Sequence, residues 1–431
     1  VRASEAIKVN SGGKLQVANG NLTVEANQQA ISTATDHNGV DVNGGTIQSI
    51  GTGNISVKGR GGEGAFDKMY GVIVWNSGKI LSSGTGTLTV EGTGGARIGG
   101  TPPGTSEAFG VYVYFLGSEI SSSSGAITIT GTGGATNDTG SFGVAVGGGK
   151  IQQGGAGALT INGTGGTCTG GSTIFLNSVG VTVTPDDAPT PAGGIITSTG
   201  TGVNAGNISI TGVGGNGGNG AAQGVRVDAP GTVTSVDGSI TIDGTGAACG
   251  NACLGTSIRG DVTAAGTGAI NVTGTAGNST GAFPTHGVNV RGNSVSTGGV
   301  ISVKDGNLTI NGTGGNTTDN AGFSMASVGL GTLQSTGTGN IIINADRIRI
   351  APSVSATINA ATNAVTFLQK TNGVAINLGG PISDTTAAVE LADGELDRVT
   401  AGTLNIGNAN SGTITVISDV TRAASTNVAL S

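Results

Sequence analysis

One phrase is written again and again along this chain: "TLTVEGTGGA" at 87–96, "AITITGTGGA" at 126–135, "ALTINGTGGT" at 158–167 and "NLTINGTGGN" at 307–316. A glycine turn after a strand can cradle a phosphate with its exposed N–H groups, but such a loop is normally made once. Eight recurrences, at Gly59, Gly92, Gly131, Gly163, Gly212, Gly244, Gly274 and Gly312, mark an architectural repeat. Each unit opens on an apolar-x-apolar pair: Leu22/Val24, Ile55/Val57, Leu88/Val90, Ile127/Ile129, Leu159/Ile161, Ile208/Ile210, Ile240/Ile242, Ile270/Val272, Leu308/Ile310 and Ile341/Ile343. In the first nine pairs the residue between is Thr, Ser or Asn. Alternation with a period of two means a strand with one face buried and the other wet.

A second element follows in each unit, "GV-x-V", from Gly39–Val42 through Gly71–Val74, Gly110–Val113 and Gly143–Val146 to Gly287–Val290. A third short strand is marked by Ile47, Ile80, Ile120, Ile151, Ile196 and Val233. Three short strands per unit predict an all-β chain, a parallel β-helix in which every strand pairs with its copy in the next coil; a unit of two coils fits the same pattern. No single coil can bury its own inner face, so the array has to be long. The glycines of "GTGG" then mark a corner, where either positive φ or tight backbone packing excludes side chains. Three regions are expected: 1–20 as a first coil or the continuation of an upstream solenoid, 21–343 as the GTGG-type helix, and 344–431 as continued solenoid with a different, shorter coil.

Composition agrees with this reading and excludes others. With 86 Gly, 9 Pro and 3% aromatics, the chain cannot build a bulky mixed core, yet 35% hydrophobic residues is too many for disorder. Collagen is excluded because the glycines do not fall at every third position and proline is scarce. Only 10% of residues are charged and the net charge is −7, so no nucleic-acid partner is expected. No apolar run of about twenty residues exists, so no membrane span is expected either. Val1 follows no Met or export signal and Ser431 follows a strand-like pattern, so both ends are expected to be cuts in a longer polypeptide.

Successive first strands lie 33, 33, 39, 32, 49, 32, 30, 38 and 33 residues apart, and the excess falls in loops such as "ARIGGTPPGTSEAF", "TCTGGSTIFLNS" and "TPDDAPTPAGG". Insertions in a solenoid gather on one side, often the binding side. The few aromatics cluster there: Phe66, Tyr70 and Trp75 in one coil, Phe109, Tyr112, Tyr114 and Phe115 in the next. Because they alternate with or flank buried valines, Trp75, Tyr112 and Tyr114 are expected to face outward, and with Phe115 they form a candidate ledge for stacking on a glycan or partner; rings that merely cover loop backbone are the plainer alternative. The outward Thr, Ser and Asn column should stack into a ladder, but the neighbouring Glu25, Lys58, Glu91, Asn162 and Asp243 break the regular lattice that ice binding would need.

Candidate chemistry is sparse. His37 and His286 stand before distant "GV-x-V" strands, without the spacing of a metal site, and are expected to be surface loop residues. Asp186 and Asp187, beside Pro185, are the one local acid pair; Asp384, Glu390, Asp393, Glu395 and Asp397 are scattered near Arg398 and suit a solvated face. No cofactor or metal is expected. The "CGNAC" loop can close a small disulfide between Cys249 and Cys253 in an oxidising compartment, leaving Cys168 over, although spacing alone does not decide it.

Beyond Ile343 the strand pairs come closer together without "GTGG". The segment "ELDRVTAGTLNIGNANSGTITVISDVT", Glu395 to Thr421, together with "GNITI"-like strands throughout, resembles the repeat region of filamentous-haemagglutinin-type exoproteins, bacterial surface proteins related to two-partner-secretion adhesins. The resemblance implies a right-handed parallel β-helix, export to the cell surface or medium, and an adhesive or matrix-building role without catalytic residues. The family's N-terminal secretion module is not in this sequence. The expectation is therefore a non-enzymatic extracellular solenoid, an adhesin stalk or self-associating fibre subunit; the rival is a carbohydrate-active β-helix.

Overall fold

The computed structural model describes all residues except 34, 66–67, 98–106, 137–139, 170–175, 282, 293–297, 318–319, 326–329, 351–355, 381–387, 422–426 and 431. The apolar-x-apolar strands stack as one fourteen-stranded parallel sheet, here the first face, running from Arg2–Ala3 to Asn427–Leu430. Register places like on like: Leu88, Thr89, Val90 and Gly92 lie against Ile127, Thr128, Ile129 and Gly131, and these against Leu159, Thr160, Ile161 and Gly163. At about 4.8 Å per level, fourteen levels make a rod about 60 Å long.

The "GV-x-V" strands form a second face, with Val72–Trp75 pairing with Val111–Tyr114. The third strands form a third face, with Lys79–Ser82 pairing with Glu119–Ser122. Second and third faces are counted in one sheet because Ala221–Ser235 and Thr256–Ala264 run through both without a break. In those two coils the separate second and third strands expected from sequence are one. A small four-stranded sheet, from Glu63–Gly64 to Thr167–Cys168, follows the glycine turn and there adds a fourth strand per coil to the three that the repeat predicts.

Residues 1–20 place one strand on each face: Arg2–Ala3 against Leu22–Ala26, Ile7–Asn10 against Val40–Asn43, and Lys14–Val17 against Thr46–Ser49. Near the other end the first face continues through Ile341, Val365, Leu404 and Val428, now 24, 39 and 24 residues apart. The longer excursion holds the helix Asp393–Leu396 and two strands of an added sheet, Ile376–Leu378 and Val389–Leu391.

The interior is one continuous aliphatic cluster. Leu88, Val90, Ile127 and Ile129 of the first face, Val72, Val74, Val111 and Val113 of the second, and Ile80, Ile120 and Ile151 of the third are all fully buried. Each such side chain contributes roughly 1.5–3 kcal/mol.

Of the two reasons left open for the glycines, tight packing is the one found. The first glycine of "GTGG" lies inside the strand, as Gly131 does in Ile127–Thr132, and faces the glycine of "GV-x-V" across the interior. A Cβ on Gly131 would lie 2.0 Å from the carbonyl oxygen of Gly143, and one on Gly92 would lie 2.0 Å from that of Gly110. Two backbones touch at every such level, and only glycine leaves room for both.

Polar columns tie successive coils together on the outside. The Asn54 N–H donates to Asn21 Oδ1 at 3.1 Å, and the Thr87 N–H donates to Asn54 Oδ1 at 2.8 Å. Charges alternate along the first face, with Arg2–Glu25 at 2.6 Å and Lys58–Glu91 at 2.9 Å, while Glu25 and Lys58 are register partners.

Candidate functional site

Outward positions of the second face run, level by level, Asp41, Ile73, Tyr112, Ala145, Thr182 and Arg226. Tyr112 does point away from the aliphatic columns, but it is not an exposed ledge residue: it is 8% exposed. Tyr70 and Phe109, from the segments before the "GV-x-V" glycines, pack over it with ring centroids 5.5 and 4.9 Å away, and Phe142 stacks on Phe109 at 4.6 Å. These rings make a second, smaller core outside the first, closed by Ile73 and Ala145. Alternation gave the direction of Tyr112 but not the rings that cover it.

Trp75, Tyr114 and Phe115 are half-buried and form the edge of the cluster that meets water. Tyr114 stacks on Tyr112 at 4.7 Å and meets Phe115 at 3.7 Å. Each polar end has a carboxylate: Trp75 Nε1 donates to Asp41 Oδ1 at 2.8 Å, the Tyr114 hydroxyl to Asp187 Oδ2 at 2.8 Å, and the Tyr70 hydroxyl to Glu107. Burial, with the nearby carboxylates, pushes the pKa of all three tyrosines up, so they stay protonated donors. Phe66, the remaining aromatic of the expected cluster, lies outside the described residues.

Phe115 sits in the turn from second to third face with φ +66°, where the equivalent residues one and two levels away are Asn76 (φ +53°) and Gly44 (φ +70°), and Gly148 (φ +72°) follows on the other side. A bulky residue in the left-handed region is an outlier costing on the order of 1–3 kcal/mol, and such strain collects at functional sites. The same turn borders a cavity of ≈ 250 Å³ lined by Leu116, Ile195, Lys79, Glu119 and Lys150. Glu119 bridges the lysines at 3.2 and 3.1 Å. Burial acts to raise its pKa, but Lys150 and Lys79 outweigh it and hold the carboxyl below its ordinary value.

The other sequence candidates are structural. Asp186 is buried, and its Oδ1 accepts from the N–H groups of Ala192 at 2.9 Å and Ala188 at 3.3 Å, closing a turn that positions Asp187. Glu395 does not lie on a solvated face: it is 2% exposed and accepts from the N–H groups of Ile350 at 2.8 Å and Ala392 at 2.9 Å. Asp384 lies outside the described residues. His286 is buried, not a surface residue; His37 is partly buried against Thr33 Oγ1 at 2.7 Å. Among the described residues no group of three or more His, Cys, Asp or Glu is placed to hold a metal ion. Cys249 and Cys253 form a disulfide with Cα atoms 5.8 Å apart, and Cys168 is buried outside it. No helix among the described residues is long and apolar enough to cross a membrane.

The columns and the strip together define a class, a parallel β-helix repeat protein carrying an aromatic and carboxylate strip on one face. No family model, curated protein or solved structure matches the chain.

Proposed function

We propose that this chain is a non-enzymatic extracellular β-solenoid, a stalk or fibre subunit of the filamentous-haemagglutinin type, which uses the strip at Trp75, Tyr114 and Phe115 to contact a glycan or a neighbouring surface. The observation that carries the reading is the unbroken axial register, in which the same side-chain types recur level after level while variation in length falls in the loops between strands. A rod built this way sets distance and presents a surface. The strained Phe115 beside a cavity of sugar-ring size, whose lining carries Glu119 between Lys79 and Lys150, supports recognition of a polyhydroxylated ligand through stacking and hydrogen bonds. The Cys249–Cys253 disulfide supports an oxidising location. End-to-end or lateral self-association into fibres or a matrix belongs to the same proposal.

The test is binding of the purified chain to neutral and acidic glycans, with the products analysed for cleavage. Trp75→Ala and Phe115→Gly should each weaken binding at least tenfold, Phe115→Gly without loss of stability because glycine relieves the backbone strain. Release of new reducing ends would overturn the non-enzymatic reading. Unchanged binding in both variants would remove the strip from it. Negative-stain microscopy separates isolated rods from fibres and sheets.

A further inference from the structure

Farther along the second face, charge accumulates in a place that is mostly closed to water. Asp228 and Arg259 are register partners, and the Arg291 N–H bonds to the Ile258 carbonyl at 3.0 Å, which sets Arg291 one level beyond Arg259. Arg226 stands beside Asp228 on the same outward side and donates to its carboxylate; Arg259 Nε lies 2.7 Å from Asp228 Oδ1. The side chains of Arg226, Asp228 and Arg259 are 14%, 8% and 16% exposed. One carboxylate thus serves the guanidinium groups of Arg226 and Arg259, each with five donors. Arg291 Nε is buried without a hydrogen-bond partner among the described residues.

Half-desolvated cations without a counter-charge are costly, and the protein's own solution is visible one level away. Asp228 sits beside Arg226 and against Arg259. At the next two levels the positions equivalent to Arg226 and Asp228 are held by Ser257 and Arg259, then by Asn289 and Arg291, and neither level brings a carboxylate to that pair. Ser257 Oγ and Asn289 Oδ1, in the column beside the arginines, are also buried without partners among the described residues. Burial pushes the pKa of Arg226 and Arg291 down, for Arg291 with the charge of Arg226 adding to it, while Asp228 opposes the shift in both.

We infer that the Arg259–Arg291 step of the second face is a binding site for a carboxylate from another molecule, and that the ligand is a uronate unit of an acidic glycan. A carboxylate matches the guanidinium fork in bidentate fashion. Ring hydroxyls beside it supply the donor that Asn289 Oδ1 lacks, which an Asp or Glu side chain of a peptide does not. The site also lies on the line of the aromatic strip: Arg259 and Arg291 are four and five levels beyond the level of Tyr112 and Tyr114, about 19 and 24 Å, so one extended chain along the rod reaches both. The inference names a ligand class for the glycan-contact reading, but the arginine geometry stands without the strip.

The probe is galacturonate, as monomer and short oligomer, titrated calorimetrically at fixed ionic strength against its methyl ester, galactose, acetate and a polyglutamate peptide. The native chain should bind galacturonate and oligomer, and Arg291→Gln should weaken both at least tenfold. Arg291→Lys, which keeps the charge and loses the fork, should fall between them. Trp75→Ala should leave the monomer unaffected, so a failed strip and a failed arginine site read differently. Hydrogen exchange of the strand Ile240–Thr245 checks that the variants fold. Absence of galacturonate binding, equal binding by Arg291→Gln, or equal affinity for the methyl ester would overturn the site. Acetate or polyglutamate binding as tightly as galacturonate would overturn the glycan assignment.

Discussion

Replacing Gly131 by Ala tests the glycine contact that sets the thickness of the rod. The new methyl carbon would stand 2.0 Å from Gly143 O, 2.6 Å from Gly143 C and 2.7 Å from Val144 Cγ2. A carbon normally approaches a carbonyl oxygen no closer than about 3.3 Å, so first and second faces must part locally by more than about 1 Å. Overpacking of this kind costs roughly 1–3 kcal/mol or more, against about 0.4–1 kcal/mol gained by restricting the unfolded chain. The expected net loss is about 2 kcal/mol. Gly20→Ala is the control, because no atom lies within 4 Å of its added Cβ, and it should be neutral or slightly stabilising. Long arrays need not unfold in one step, so the readout is hydrogen exchange of the amides in Ile127–Thr132, which should quicken about 30-fold in Gly131→Ala. Gly92→Ala combined with Gly131→Ala should cost less than the sum, since one parting of the faces makes room for both methyls. If Gly131→Ala protects its strand as well as Gly20→Ala does, the close-contact account is refuted.

The chain's three tyrosines all lie in the outer aromatic cluster, so tyrosinate absorbance near 295 nm reports on that cluster alone. Their folded pKa values are raised, so their contribution to stability is fully present below the unfolded value of about 10 and declines as pH rises above it. The expected result is little tyrosinate signal at pH 10–11 until the region unfolds; ordinary titration near 10 would contradict the packing. Reducing the Cys249–Cys253 bond, which closes a loop of sequence separation 4, should cost about 2 kcal/mol or less in that loop and leave exchange in the first-face strands unchanged. Lys58→Glu places three acids in register at Glu25, 58 and Glu91; it should cost up to about 1 kcal/mol more than Lys58→Gln in low salt, measured by denaturant unfolding, with the difference shrinking in high salt.

Much of the fold was legible because the same short alternation is repeated, so that Leu88, Ile127 and Leu159 identify one another as copies before any pairing is known. The role of the glycines was only half legible. Gly131 and Gly143 are twelve residues apart, and nothing local in either says that their backbones meet. Alternation likewise gave Tyr112 its direction, whereas its cover comes from Tyr70 and Phe109 on separate segments. Glu395 looked like one of several scattered acids, and only the chain around it shows that it accepts from two buried N–H groups. The arginine column did leave a trace, in "VRVD", "SIRG" and "VNVRG": arginines recurring at the exits of second-face strands in a chain with only 10% charged residues. Their partial burial, which makes them a candidate site, is a tertiary property.

The central claim, that successive coils stack in strict parallel register, is tested most directly by paired cysteines on the first face. Thr128 and Thr160 are register partners, so their Cα atoms lie about 4.8 Å apart, within disulfide reach, whereas Thr128 and Asn162 are offset by two residues and lie about 8 Å apart, beyond it. Under mild oxidation Thr128→Cys with Thr160→Cys should cross-link in the folded chain, and Thr128→Cys with Asn162→Cys should not. Equal cross-linking of the two pairs, or preference for the offset pair, would contradict the register on which the rod is built.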